Sequence, residues 1–301
     1  MATVSMIHSS GCELGDVPTS VTPLHRVGHG SPLVLLHGVN MSWRAWRPVL
    51  PFLINRHDVF VPTMAGHRGG PALGSDLSRG ISGVVDVLCD QLDEAGIETA
   101  HLAGNSLGGW VALELARRGR ARSVVAISPA GCWQSRRDLV RLLCLFWVAR
   151  LACGAAPLWG LVSNPALRRT WLSRVVAHPT RISTDDLKDM IADAAHCDAI
   201  GRVLEGAVAL RQLEPFDVAV CPVRIAWAER DRTTPYRRYG YPMRQVVRGA
   251  EFVSLPGVGH MPMFDDPRLV ARAILEVTSS VDESSGDVGT VRRRSVARWS
   301  A

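Results

Sequence analysis

The sequence predicts an α/β protein with a mostly parallel central sheet, helices on both faces of the sheet, and one inserted helical segment. Short apolar runs alternate with segments of helical periodicity through most of the 301 residues. Strands that alternate with helices in this way form parallel sheets covered on both sides. Between Gly131 and about Cys197 the alternation stops and only helical patterns remain. We therefore expect a core of residues 1–131 and 198–278, an insertion of residues 132–197, and a disordered tail of residues 279–301.

The elements follow in order from their patterns. A first strand is predicted within residues 21–27, a helix over 43–54, a strand within 57–62 and a helix over 81–94, with Gly96 suited to its C-terminal cap. Further strands are expected at 99–103, 123–127, 221–227 and 251–255. The insertion reads as helices at 136–149, 157–161, 166–176 and 184–195. Helices over 199–212 and 267–277 then return to the core. Ser-rich and Arg-rich composition after Thr278 favours disorder.

The stretch Gly104-Asn105-Ser106-Leu107-Gly108 lies where a buried strand turns sharply into a helix. Such a turn forces the serine into a sparsely allowed backbone conformation and leaves no room for side chains two residues before or after it. The helix N-terminus beside the serine offers free N–H groups and positive potential to an oxyanion. This combination is typical of a nucleophilic serine that performs acyl transfer.

Two further polar residues follow predicted strands in the order that such a serine needs. Asp231 lies in the loop after the strand at 221–227, and His260 lies in a Gly-rich loop after the strand at 251–255. We predict that His260 is the general base and that Asp231, rather than its neighbour Glu229, orients the imidazole. The backbone N–H groups of Leu107 and Val39 are the expected oxyanion donors.

These motifs together resemble the α/β-hydrolase fold family in its lidded, esterase-like branch, and the resemblance covers roughly residues 21–278. The matching positions are His37-Gly38, Trp46, Gly66-His67, the serine turn, Asp231 and Gly259-His260 with Asp265 beyond. The resemblance implies an α/β-hydrolase fold with a helical lid and a Ser106, Asp231, His260 triad. Ala228 stands where the family usually has Gly, and Thr63-Met64-Ala65 replaces the commoner Asp-x-Pro; these departures leave the subfamily open.

The residues expected to line the substrate pocket surround the serine or lie in the insertion. Four of the nine tryptophans fall in the insertion, where they either roof an apolar pocket or dock the insertion on the core. His37 has a second interpretation, which is to tie down the oxyanion turn. The predicted pocket residues are His37, Asn105, Trp133, Trp147, Trp159 and Met261.

The composition limits the classes of partner that we expect the protein to bind. The net charge is +6, but the arginines are spread among acids along the chain, so a nucleic-acid partner is not indicated. The seven cysteines are scattered and read as reduced packing residues, so no disulfide framework and no metal site are predicted. The apolar run 139–162 is interrupted by Arg141 and Arg150, which disfavours stable membrane insertion. No secretory signal is visible in residues 1–20, so we expect a cytoplasmic protein that acts on a small-molecule substrate.

The sequence thus favours a serine hydrolase that cleaves a small to medium, apolar ester without a cofactor. Three alternatives remain open: a carbon–carbon bond hydrolase of aromatic ring-fission products, a perhydrolase or lyase of the same fold, and a small-molecule receptor that keeps the triad. The carbon–carbon hydrolases usually carry Trp after the histidine, where Met261 stands. Epoxide hydrolase and haloalkane dehalogenase chemistry is disfavoured because both need aspartate at the position of Ser106.

Overall fold

The computed structural model describes residues 23–73, 80–154, 164–200, 212–217 and 221–295, with the backbone alone for residues 285–295. Its centre is a seven-stranded sheet in the order β1-β3-β2-β4-β5-β7-β9. Only β1 runs antiparallel, paired with β3, and every other neighbouring pair is parallel. The strands of this sheet are β1 Leu24–Gly28, β2 Ser31–Leu36, β3 His57–Pro62, β4 Ala100–Asn105, β5 Ala121–Ile127, β7 Val223–Ala228 and β9 Glu251–Leu255. The predicted mostly parallel sheet is confirmed.

Helices cover both faces of this sheet, and two hydrophobic clusters lie between them and the strands. Alternate residues of β2 show the division, since Val34 and Leu36 belong to one cluster and Leu33 and Leu35 to the other. A separate pair of two-residue strands, β6 Phe216–Asp217 and β8 Val247–Arg248, lies outside the main sheet. The helices are α1 Gly80–Glu94, α2 Leu107–Arg117, α3 Arg136–Gly154, α4 Pro165–Leu172, α5 Thr184–Ala195, α6 Tyr236–Val246, α7 Pro262–Asp265 and α8 Pro267–Ser295.

One predicted helix is wrong. Residues 43–54 form two short 3₁₀ helices, Trp43–Trp46 and Leu50–Phe52, instead of a continuous α-helix. Pro48 and Pro51 explain the break, because a proline inside a helix removes a hydrogen-bond donor and clashes with the preceding turn. Trp46 is nevertheless fully buried, so the segment still closes one face of the sheet.

The helical insertion, by which we mean α3, α4 and α5 with their connections, is joined to the core by buried charge. Asp193 of α5 is fully buried and accepts hydrogen bonds from Ser42 Oγ at 2.5 Å and Arg44 Nη2 at 2.6 Å. Asp186 and Asp189 on the same helix pair with Arg47 at 3.2 and 2.6 Å. The acidic face of α5 therefore lies against the arginines that follow β2. The predicted helix over 157–161 and most of the one over 199–212 lie outside the described residues.

The C-terminal helix extends beyond its predicted end at residue 277. Helix α8 continues to Ser295, so the expectation of disorder from residue 279 is corrected over the helical part. As far as Asp282, this extension is held by a polar row across four neighbouring strands, formed by His57, Ser31, His101 and Ser123. Asp282 of α8 accepts from Ser31 Oγ at 2.7 Å and lies 3.1 Å from His101 Nε2. This row satisfies polar groups of the helix that composition alone assigned to solvent.

The described part of the chain contains no helix that is long and apolar enough to cross a membrane.

Candidate active site

Ser106 lies at the sharp turn between β4 and α2, in the strained conformation that the sequence predicts. Its backbone angles are φ 55° and ψ −115°, although it is not a glycine. A Cβ atom on Gly104 would overlap the Gly108 carbonyl, and a Cβ on Gly108 would overlap the carbonyls of Leu36 and His37. The turn is therefore possible only with these two glycines. Persistent strain of this kind is typical of a functional residue that the surrounding structure holds in place.

Asp231 and His260 follow strands on the same side of the sheet as Ser106. Ser106 follows β4, Asp231 follows β7 and His260 follows β9, and all three strands run parallel. The carboxyl ends of parallel strands share one edge of the sheet, where ligands of such folds bind. The three side chains predicted to form the triad thus belong to one end of the sheet.

Asp231 and His260 form a buried hydrogen-bonded pair. His260 Nδ1 lies 2.8 Å from Asp231 Oδ2, and the two side chains are only 3% and 1% exposed. A carboxylate can only accept a hydrogen bond, so Nδ1 carries the ring proton and donates a hydrogen bond to Asp231 Oδ2. His260 Nε2 is buried and has no hydrogen-bond partner among the described residues. With the ring proton on Nδ1, Nε2 keeps a free lone pair, as a general base requires. Ser106 forms no hydrogen bond with this nitrogen in the structure, so proton transfer between them stays a prediction.

The loop after β7 holds Asp231 through two threonines that the sequence analysis missed. Asp231 Oδ1 accepts from the backbone N–H groups of Thr233 at 2.9 Å and Thr234 at 2.7 Å. Asp231 Oδ2 accepts from Thr234 Oγ1 at 2.9 Å, beside its bond to His260. An aspartate whose side chain caps the N–H groups two and three residues later is a common turn signal, and Asp-x-Thr-Thr-Pro could have revealed it. These bonds fix the carboxylate while it is buried.

The histidine loop is held by Asn105 and Asp265. Asn105 Nδ2 donates to the His260 carbonyl at 2.9 Å, so the residue before the serine supports the base. Asp265 Oδ2 accepts from Gly259 N at 2.7 Å and from Ala177 N of the insertion at 2.8 Å. Asn105, predicted as a pocket residue, thus uses its amide to join the serine turn to the histidine loop.

The predicted oxyanion turn lies beside the serine. A Cβ atom added to Gly38 would be 3.4 Å from Ser106 Cβ, so the turn after β2 packs directly on the serine. Val39 follows Gly38, and Asn40 has φ 63°. Leu107 is the first residue of α2, where N–H groups lack partners inside the helix. The position of both residues is compatible with oxyanion donors, and their role stays a prediction.

His37 supports this turn, and its ring has no nitrogen left for a substrate. Its Nδ1 lies 2.8 Å from the Gly38 carbonyl, and its Nε2 accepts from Met64 N at 2.9 Å. Complete burial, and next the neighbouring ring of His67, hold the pKa of His37 well below its usual value. The prediction of His37 as a pocket residue is therefore corrected in favour of its structural interpretation.

The remaining predicted pocket residues separate into two groups. Trp133 and Met261 are buried, each in one of the two hydrophobic clusters, and Met261 N donates to the Val175 carbonyl at 2.8 Å. Trp147 of α3 instead lines a cavity of about 550 Å³ between the insertion and the loop after β3. Trp159 lies outside the described residues. Of the predicted aromatic roof, the structure therefore places Trp147 beside open space and Trp133 in the core.

The cavity has a mixed lining with polar groups from both sides. Arg150 of α3 stacks on Trp147, and its Nε donates to the Cys197 carbonyl at 2.7 Å. His67 lines the opposite side, and its ring packs on that of His37 with 4.8 Å between centroids. The cavity is thus one side-chain layer away from the turn that packs on Ser106. Its lining residues are Gly66, His67, Gly70, Pro71, Ala72, Leu73, Trp147, Arg150, His196 and Asp198.

Among the described residues, no group of three or more His, Cys, Asp or Glu side chains is placed to hold a metal ion.

Comparison with known proteins identifies the family and supports the fold. Residues 33–273 match the family model described as the alpha/beta hydrolase family. An epoxide hydrolase, EphH, of Mycobacterium tuberculosis is 38% identical over 203 residues, which cover 64% of this chain and 91% of the relative. A 2-hydroxymuconate semialdehyde hydrolase of a Pseudomonas strain is 38% identical over 115 residues, or 36% of this chain and 40% of the relative. A solved thermophilic esterase from Thermogutta terrifontis superposes with a TM-score of 0.66 at 21% identity, over 86% of this chain and 93% of the esterase, which shows a shared fold.

Proposed function

The chain belongs to the alpha/beta hydrolase family, and we propose that within it the protein is a serine hydrolase of carboxylic esters. The substrate we propose is small to medium in size and mainly apolar, and the helical insertion acts as the lid over it. The observation that carries this proposal is the buried Asp231–His260 pair with an unpartnered Nε2, at the same end of the sheet as the strained Ser106. No cofactor is required by this chemistry.

The proposed reaction has two steps that use the same three residues. His260 Nε2 takes the proton of the Ser106 hydroxyl as Oγ attacks the ester carbonyl, and then gives it to the leaving alcohol. Water, activated by the same nitrogen, cleaves the acyl-enzyme and restores the serine. Asp231 stabilises the imidazolium that forms in both steps. Donors at Leu107 and Val39 would each contribute about 3 kcal/mol to the stabilisation of the oxyanion.

The nucleophile argues against epoxide opening even though one relative is named an epoxide hydrolase. A carboxylate that opens an epoxide forms an ester, which water can then cleave. A serine that opens an epoxide forms an ether, and an oxyanion site offers no route to hydrolyse it. Ser106 therefore favours acyl transfer over epoxide hydrolysis in this chain.

A second candidate is hydrolysis of a carbon–carbon bond next to a carbonyl. The named activity of the Pseudomonas relative and the Gly104-Asn105-Ser106 turn support this candidate. Met261 in place of the usual Trp speaks against it. A receptor function would use the same pocket without turnover.

Turnover of p-nitrophenyl esters of two to ten acyl carbons by the wild type and by Ser106→Ala tests the proposal. We expect repeated turnover by the wild type, none by S106A, and a covalent adduct on Ser106 after treatment with a fluorophosphonate, read by intact mass. An adduct without ester turnover would reject the esterase proposal in favour of carbon–carbon cleavage, tested next on a 2-hydroxy-6-oxo dienoate. One equivalent of product followed by a stall would favour the receptor.

A further inference from the structure

Helix α3 of the insertion presents an exposed apolar stripe. Val140, Val148 and Leu151 are 50%, 60% and 52% exposed, and Cys144 between them is exposed as well. These positions follow the spacing i, i+4, i+8 and i+11, which places them within a sector of about 80° on the helix. The opposite side of the helix, with Leu139 as an example, is buried in the core. Three of the six exposed large apolar side chains among the described residues belong to this one helix face.

The same face carries positive charge. Arg136, Arg137 and Arg141 are exposed near the start of α3, and within the described part of the chain no ion pair engages them. Residues 136–181 contain eight arginines and a single acidic residue, Asp138. Asp138 is buried and bonded to Ser135 Oγ and Arg238. No acidic side chain on α3 or α4 therefore remains to neutralise the outer surface.

Three of the four acidic residues of α5 point to the core instead, and the fourth, Asp185, is exposed and pairs with Lys188 of the same helix. Asp186, Asp189 and Asp193 of α5 pair with Arg44 and Arg47, as described above. Most of the negative charge of the insertion thus lies against the core, whereas the outer side of α3 carries positive charge. An apolar stripe flanked by unpaired arginines has the chemistry of a surface that lies on negatively charged lipid.

We propose that the outer face of α3 binds an anionic lipid surface peripherally, with Val148 and Leu151 in the acyl boundary and the arginines at the headgroups. Charge complementarity selects this partner, because an uncharged protein surface would leave the arginines without a counter-charge. Three apolar side chains and three arginines give reversible attachment, not insertion. The proposal concerns a surface and does not depend on the proposed esterase activity.

Sedimentation of the full-length protein with vesicles tests the proposal. We expect the wild type to bind vesicles of phosphatidylcholine and phosphatidylglycerol at a ratio of three to one, to bind pure phosphatidylcholine at least about tenfold more weakly, and to be released by 0.5 M NaCl. V148D/L151D should lose binding. R137Q/R141Q should weaken it about 25-fold, at about fivefold for each arginine. The control R248Q/R272Q removes the same charge from exposed sites on other elements and should weaken binding less than about threefold.

Two further readouts separate this inference from the proposed function. S106A should bind vesicles like the wild type, and V148D/L151D should hydrolyse a water-soluble ester at the wild-type rate, which also shows that the variant is folded. Three results would overturn the proposal: equal binding of the wild type to neutral and anionic vesicles, unaltered binding by V148D/L151D, or the same loss of affinity in R137Q/R141Q and in R248Q/R272Q. A wild-type dimer that V148D/L151D converts to a monomer, without vesicle binding, would show that α3 binds a second copy.

Discussion

Replacement of Asp231 by Asn tests how the buried pair sets the proton on His260. Asp231 Oδ1 accepts two backbone N–H groups, from Thr233 and Thr234, so the amide oxygen of Asn must take that position. The amide NH₂ then occupies the place of Oδ2, 2.8 Å from His260 Nδ1. Because NH₂ can only donate there, the ring proton moves to Nε2. The nitrogen that should accept the Ser106 proton is then blocked. The two backbone bonds to Oδ1 are kept, and the Thr234 hydroxyl, which donates to Oδ2 in the wild type, turns to accept from the amide.

A wrong tautomer of this kind costs about 10⁴-fold in rate in serine proteases, which equals about 5.5 kcal/mol of transition-state stabilisation. We expect D231N to lose about that factor in kcat/KM for a p-nitrophenyl ester, with a Tm close to that of the wild type. The matched control is E229Q on the same loop, because Glu229 accepts a hydrogen bond from Gly257 N that Gln can keep. E229Q should stay within about twofold of the wild type. If D231N kept more than about a tenth of the activity, or E229Q fell equally, the tautomer argument would be refuted.

Three other predictions follow from the packing. Gly104→Ala should lower the free energy of unfolding by at least about 2 kcal/mol in a urea titration, because its Cβ would overlap the Gly108 carbonyl, whereas G154A, which meets no atom within 4 Å, should not. Arg44→Gln should cost about 2 kcal/mol, since it removes a charged hydrogen bond from the buried Asp193, which keeps Arg68 at 3.4 Å and Ser42. R26Q at an exposed pair should cost less than about 1 kcal/mol in the same titration. Burial, above all, lowers the pKa values of His57 and His101, the two histidines beneath α8. As the pH drops, the unfolded chain therefore takes up protons at these residues before the folded chain does, and the free energy of unfolding falls below their unfolded pKa. The urea midpoint should therefore decrease from pH 7.5 to 5.5, and less so in H101Q; an unchanged or rising midpoint would contradict this.

Much of the fold follows from local pattern. The apolar runs of the central strands predicted the strands because a parallel sheet buries both faces. A strand lies within 57–62 as expected, and the predicted bounds 251–255 match the structure. The serine turn was predictable because a turn this tight leaves no room for a side chain at positions 104 and 108, and both residues are glycine. The predicted α-helix over 43–54 was wrong because the prediction followed the apolar periodicity, whereas Pro48 and Pro51 prevent a continuous helix.

The features that the sequence did not predict depend on contacts between residues that lie far apart in the chain. The helical continuation past residue 278 rests on Asp282 reaching Ser31 and His101, contacts that span more than 150 residues. The role of Asn105 likewise depends on the His260 carbonyl, and a residue beside a catalytic serine gives no local sign of whether it faces a ligand or a loop. Composition describes such polar residues as exposed, because it contains no information on which distant groups will satisfy them.

The hydrogen bonds around His260 also limit which part of the insertion can move. The segment 174–178 of the insertion is joined to the loops that contain Asp231 and His260. Thr233 Oγ1 donates to the Arg174 carbonyl, and Met261 N donates to the Val175 carbonyl. Asp265 accepts from the amides of Ala177 and His178. Any lifting of this segment would pull on the loops that hold Asp231 and His260, and so would disturb the buried pair. Helix α3 makes no such bond to either catalytic loop in the described part of the chain. Helix α3 is itself bonded to the turn beside Ser106, where Asn40 Nδ2 donates to the Phe146 carbonyl at 3.0 Å, and to α6, where the Tyr239 hydroxyl donates to the Asp138 carbonyl at 2.9 Å. We propose that substrate enters by a displacement of α3, the helix whose outer face we assign to lipid, which breaks these bonds and leaves the Asp231–His260 pair in place.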